Sequence, residues 1–137
     1  MPGFEFFGAE ERKEVNEVLE TGILMRYGFD GPRKGIWKSK ELEAAITDVF
    51  GCEHAQLTSS GTAALTTAMA ALGIGVGDEV IMPAFTFVAS FEAVISVGAV
   101  PVMVDIDDTL TLDPAAVKAA ITPKTKCIMP VHMCGSM

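Results

Sequence analysis

The run Ser59-Ser60-Gly61-Thr62-Ala63 is the part of this sequence best equipped for chemistry. It lies between an apolar stretch suited to a strand and a periodic stretch suited to a helix. The first backbone N–H groups of a helix have no internal partner, and the aligned peptide dipoles add partial positive charge there. Gly61 removes the side chain that would keep an anion from those amides, and the hydroxyls of Ser60 and Thr62 offer two more donors. A phosphate suits such a donor set. An ordinary serine cap before a glycine turn has the same residues. The run lacks both the GxxxxGK(S/T) of a P-loop and the GxGxxG of a dinucleotide site, which disfavours ATP and NAD.

Other chemically able residues are sparser. Pro83-Ala84-Phe85-Thr86-Phe87 puts two aromatics at a strand mouth, where one could stack on a flat ring; core packing is the simpler expectation for both. Asp105, Asp107 and Asp108 are not followed by the glycine-bearing loop of a calcium site, so a solvated turn with a helix cap is expected and no metal. His132 and Cys134 could pair as nucleophile or ligands, but a hydrogen-bonded structural histidine accounts for them more simply. Between 26 and 40 lie Arg26, Arg33, Lys34, Lys38 and Lys40, five of the ten basic residues, beside Tyr27 and Trp37. In an acidic chain this cluster points to an anionic substrate or an acidic partner subunit, with a plain exposed loop as the alternative.

The elements that must position these residues read as an α/β fold. Residues 9–20 form a helix with Val15, Val18 and Leu19 on one face and Gly22 as its stop; 23–38 reads as a loop. After a Ser39 cap, Leu42, Ala45, Ile46 and Val49 fall on one helical stripe that Gly51 ends. Strands are expected near 54–58, 79–83, 100–105 and 126–131, with helices at 62–73, 86–97 and 114–120, the last capped by Asp113 with Pro114 behind it. Strands and helices in alternation mean right-handed crossovers and a mainly parallel sheet flanked by helices. Ligands then bind beyond the carboxyl ends of the strands, which singles out loops 58–62, 83–87, 105–113 and 131–137. The chain divides into an N-terminal helix and basic loop, 1–38, and a sheet-bearing part, 39–137.

The 137 residues carry a net charge of -8, which argues against nucleic acid as a partner. No apolar run approaches the ~20 residues of a membrane helix, and the start has no signal-peptide pattern. Cys52, Cys127 and Cys134 are odd in number and lack CxxC spacing, so neither disulfides nor zinc are indicated and a reducing cytoplasm is the expected setting.

Taken in order, SSGTAAL (59–65), GIGVGDEVIMPAFTFVAS (73–90), GAVPVMVDID (98–107) and ITPKTKCIMPVHMCG (121–135) resemble the DegT/DnrJ/EryC1/StrS sugar aminotransferases. That resemblance implies the N-terminal part of a fold-type-I large domain that binds pyridoxal 5'-phosphate, an amino acid donor, a keto-sugar acceptor and a homodimer. It implies phosphate contacts from Ser60, Gly61, Thr62 and Ala63, ring stacking by Phe87, and substrate contacts from Arg26 and Tyr27. Many relatives have Trp where Phe87 stands. The beginning (MPGFE, then RYGFD) and the HMCGSM end look closest to members that aminate C8 of a 3-deoxy-octulosonate. The family's cofactor-bearing lysine lies beyond the HMCG segment, and Lys13, Lys34, Lys38, Lys40, Lys118, Lys124 and Lys126 all lack its context. No catalytic residue is therefore expected in this chain, which should not transaminate alone and should represent a piece of a longer enzyme. Some members carry histidine in place of that lysine and dehydrate sugars; a non-catalytic module that binds a phosphorylated ligand is the rival from another class.

Overall fold

In the computed structural model, which describes residues 3–135, the chain separates into two compact units, Met1–Leu57 and Thr58–Met137. Met1 and Pro2 of the MPGFE start, and Ser136 and Met137 of the HMCGSM end, lie outside the described residues. The division falls after Leu57, whereas composition placed it at 38, so the second long helix groups with the N-terminal segment.

In the first unit, helix α1 (Ala9–Thr21) starts where Glu11 reaches back to the Gly8 N–H at 2.7 Å. It ends at Gly22, whose φ of 67° is left-handed and nearly free of cost only for glycine. Its apolar face is present as expected, but Val15 and Leu19 stay exposed. The expected loop contains a short helix, α2 (Asp30–Arg33). Pro32 inside a first turn is tolerated because its missing N–H would have had no partner there. Helix α3 (Lys38–Phe50) is capped at Trp37 and not at Ser39: Glu41 takes the Trp37 N–H at 3.3 Å, and Ser39 sits inside the first turn. Gly51, at φ 63°, stops it.

The strand expected at 54–58 does not form. A strand needs a neighbouring backbone to take its N–H groups, and the Leu57 N–H goes instead to the Glu43 side chain at 2.7 Å.

The second unit follows the alternation. Helix α4 (Gly61–Ala71), strand β1 (Glu79–Pro83), helix α5 (Val88–Ser96), strand β2 (Val100–Val104), helix α6 (Pro114–Ala120) and strand β3 (Thr125–Ile128) run in that order. The three strands are parallel in the order β2-β1-β3. The central β1 is buried on both faces: Val80, Ile81 and Met82 have no exposure. Val80 and Met82 join Met69, Ile74, Ala93, Val94, Ala99 and Met129 in the apolar core on the side of α4 and α5, and Ile81, one position out of phase, faces the other way. Right-handed crossovers in opposite directions place α5 and α6 on opposite faces. Strand β3 stops before Pro130, which has no N–H to continue the ladder; the last rung is Met129 N–H to the Ile81 carbonyl at 2.8 Å. No helix among the described residues is long and apolar enough to cross a membrane.

Candidate functional site

In a sheet ordered β2-β1-β3, the chain leaves β1 toward one side and returns from β2 to the other. Ligands in open α/β sheets sit beyond the carboxyl ends of the strands, which here are followed by the residues after β1, β2 and β3. The residues leaving β1 are Ala84 to Phe87. Ala84 is fastened by its N–H to the Val104 carbonyl at 2.9 Å. Phe87 caps α5 with its backbone, and its ring is 66% exposed. Phe85 is 38% exposed, so neither ring is the core residue that residue type alone suggested. Thr86 and Ser90 share a hydroxyl hydrogen bond of 2.9 Å that pins the first turn of α5 to this loop.

Helix α4 packs on α5 and runs down to the amino end of β1 through Leu72–Asp78. With eleven residues it is about 16 Å long, about the length of a five-residue strand. Its opening thus stands at the level of the strands' carboxyl ends. Here the serine cap is real: Ser60 Oγ accepts the Ala63 N–H at 3.1 Å, and the Ser60 carbonyl accepts the Ala64 N–H at 3.0 Å. The cap does not use up the donors. Among the described residues the N–H groups of Gly61 and Thr62 have no acceptor, and the Thr62 hydroxyl has none either. Ser60 accepts through its oxygen and so keeps its O–H hydrogen to give. Thr58 Oγ1 donates to the Ser60 carbonyl at 2.9 Å, closing the turn from the other side.

Three features make this opening fit an anion. No acidic side chain stands in the first turn of α4. A side chain's first carbon at Gly61 would meet no atom within 4 Å, so the turn is open on that side. The helix is long enough for its dipole to add charge at the same point. Ser60, Gly61, Thr62 and Ala63 are thus adjacent on one helix start, but Ala63 is already bonded within it.

The basic segment is less free than its composition suggested. Lys38 Nζ lies 2.5 Å from Glu14, 2.6 Å from Glu17 and 3.3 Å from Glu41, and this company raises its pKa. Arg33 is buried, gives its Nε–H to the Gly28 carbonyl at 2.9 Å and stacks 4.1 Å from the centre of the Trp37 ring. Lys40 covers the same ring at 3.7 Å. Arg26 is paired with Glu43 at 2.7 Å. Tyr27 is 74% exposed.

Asp107 accepts the Thr109 N–H at 2.8 Å within a turn closed by an Ile106–Leu112 bridge, and Asp113 caps α6 through the Ala115 N–H, as the solvated-turn expectation required. His132 differs from expectation. It is exposed, and among the described residues its ring has no hydrogen-bond partner, because only its carbonyl is engaged, by the Gly135 N–H at 3.0 Å. Sequence reasoning also missed Glu43, which binds Arg26 and the Leu57 N–H together. An acidic residue beside the Leu42 stripe carries no signal of such contacts.

Comparison with known proteins gives a consistent picture. Residues 6–137 match the model of the DegT/DnrJ/EryC1/StrS aminotransferase family. Among solved structures, 3-amino-5-hydroxybenzoic acid synthase is similar over 96% of this chain and 33% of its own, at 43% identity and a TM-score of 0.85. DesV from S. venezuelae is similar over 98% and 34%, at 37% identity and a TM-score of 0.85. NtdA from Bacillus subtilis, solved with bound cofactor PMP, is similar over 96% and 29%, at 34% identity and a TM-score of 0.79. The chain therefore spans about a third of the length of these structures.

Proposed function

Because the chain belongs to the DegT/DnrJ/EryC1/StrS aminotransferase family, we propose that it forms the phosphate-holding part of a pyridoxal-phosphate enzyme that moves an amino group from an amino acid donor to a keto-sugar. The observation that carries this reading is the pair of N–H groups on Gly61 and Thr62 that have no acceptor among the described residues, at a helix start open on the Gly61 side with no carboxylate in its first turn.

When bound, pyridoxal phosphate supplies a ring that draws electrons from the carbon losing its proton. This chain's residues hold that group. The Gly61 and Thr62 N–H groups and the hydroxyls of Ser60 and Thr62 donate to phosphate oxygens. Ala63 acts through Ser60: its N–H fixes the Ser60 oxygen and leaves the O–H hydrogen for the phosphate. The exposed ring of Phe87 offers a flat apolar face for stacking on the pyridine. Tyr27 is proposed as a substrate contact on the strength of its exposed phenol. Amination at C8 of a 3-deoxy-octulosonate, a cytoplasmic setting and a homodimer are the finer proposals that follow from the family resemblance.

The proton-shuttling lysine is proposed to lie outside this chain. In the second unit, the Lys124 carbonyl accepts the Glu79 N–H at 2.9 Å, at the amino end of the sheet; Lys126 follows in β3, and Lys118 is in the last turn of α6, which leads to that end. All three are on the wrong side for a group at the carboxyl ends. Borohydride reduction of the chain with pyridoxal phosphate should give no stoichiometric adduct on one lysine; a single such adduct contradicts this.

For the phosphate itself, Gly61→Val projects methyl groups into the space before the amides. Retention of pyridoxal phosphate, read by equilibrium dialysis, should be lost, and unchanged retention would reduce the turn to a cap.

A further inference from the structure

The Arg26 guanidinium is engaged through one of its nitrogens. Its Nη2 lies 2.7 Å from Glu43 Oε1 and 2.8 Å from Oε2, with Gln56 Oε1 at 3.4 Å. The same Glu43 carboxylate accepts the main-chain N–H of Leu57 at 2.7 Å. The Glu43 side chain is 12% exposed and that of Arg26 28%, so this is the most enclosed ion pair among the described residues. Three stretches converge on one carboxylate: the loop after α1, the middle of α3, and the segment that ends at Leu57.

That last segment has no regular structure of its own. Residues 52–57 belong to no helix or strand, and the backbone of Leu57 is held by side chains, its N–H by Glu43 and its carbonyl by Gln56. A hydrogen bond from an amide to a carboxylate is charge-assisted, shorter and stronger than a neutral one. The pairing with Arg26 and the Leu57 N–H both hold the Glu43 pKa below its ordinary value, which keeps the acceptor charged. The residue after Leu57 opens the Thr58-Ser59-Ser60 run that leads into Gly61.

We propose that Glu43, held by Arg26, is a positioning residue for the phosphate turn: it ties down the chain at Leu57, so that the Gly61 and Thr62 amides have less freedom to lose when they meet an anion. Arg26 acts through Glu43 and is not a substrate contact. The inference rests on reading the Gly61 turn as a phosphate site.

The test uses the full chain and pyridoxamine 5'-phosphate, which has no aldehyde to react with lysines, with its dissociation constant read from its fluorescence. Glu43→Ala should weaken binding about tenfold, and Arg26→Ala about threefold, since it leaves the acceptor but loosens it. Arg26→Ala added to Glu43→Ala should cost nothing more. Glu43→Gln, which keeps an oxygen for Leu57, should recover most of the affinity. Hydrogen exchange of the Leu57 amide should quicken in the alanine variants in the same order, a local readout that a general loss of stability would not single out. Wild-type affinity in Glu43→Ala with an unchanged circular dichroism spectrum overturns the latch; so does a further loss from Arg26→Ala in the Glu43→Ala background, which would put Arg26 on the ligand. Should Glu43→Ala fail to fold, Arg26→Ala and Glu43→Gln decide by the same two readouts. If wild type does not bind, or Gly61→Val binds as well as wild type, the phosphate reading itself falls and takes the latch with it.

Discussion

The two units are held together by different physics. Among the described residues of Met1–Leu57 the one buried residue is a cation, Arg33, and the other ordering contacts named above each involve a charged side chain, meeting an opposite charge, a backbone N–H or the Trp37 ring. In Thr58–Met137 the buried residues are almost all apolar and centre on a strand with no exposure. Apolar burial contributes roughly 25 cal/mol per Å² whatever the salt or pH, whereas exposed ion pairs add little and depend on both. The second unit should therefore set the stability of the chain, and the first should be the part that solution conditions can loosen.

The sharpest way to break this contrast is Met82→Ala in β1. A fully buried methionine with apolar neighbours should cost about 2–5 kcal/mol, measured by urea unfolding. Next in size is Arg33→Ala. It deletes the bond to the Gly28 carbonyl and the stack on Trp37, and should cost about 1–3 kcal/mol; a loss as large as that of Met82→Ala would show a first unit more strongly packed than described. Lys38→Met should shift the midpoint far less than either, and its effect should shrink further in 1 M salt, roughly the range in which screening reaches contact distance. A large, salt-independent shift would contradict the contrast.

The smallest effect is also the most selective. Glu43 and Glu17 are held below their ordinary carboxylate range, by Arg26 with the Leu57 N–H and by Lys38 respectively. A depressed folded pKa gives stability that is complete above the unfolded value of 4.5 and disappears as pH falls through the lower folded value. Acidification below that point should change the fluorescence of Trp37, the single tryptophan, which lies in the first unit, before it changes the circular dichroism of the helices around β1. Coincident transitions would mean that the two regions do not differ in this way.

What was legible in the sequence follows the same division. The second unit could be read almost entirely: apolar periodicity located its helices, and local chemistry located the caps at Ser60 and Asp113. The glycine stops at Gly22 and Gly51 were equally plain, because the left-handed backbone they need is a local property. Non-local contacts stayed hidden. Residues 54–58 have the composition of a strand, but pairing is decided by a partner elsewhere in the chain, and Leu57 found a side chain fourteen residues away. Arg26 looked like a free cation because no spacing rule connects it with Glu43. From residue type alone Phe87 was expected inside and His132 bonded, yet both are exposed, since loop side chains take their surroundings from the fold and not from their neighbours in sequence. The serine cap and glycine of the α4 opening could be read from local sequence, whereas the Glu43 contacts with Arg26 and Leu57 could not.

The central claim is that the opening of α4 holds a phosphate on the main-chain amides of Gly61 and Thr62. An amide-resolved NMR titration of the full chain with pyridoxamine 5'-phosphate tests it most directly. The account predicts saturable shifts that are largest at those two amides and absent in Gly61→Val. Shifts centred elsewhere, or unchanged by Gly61→Val, would contradict it.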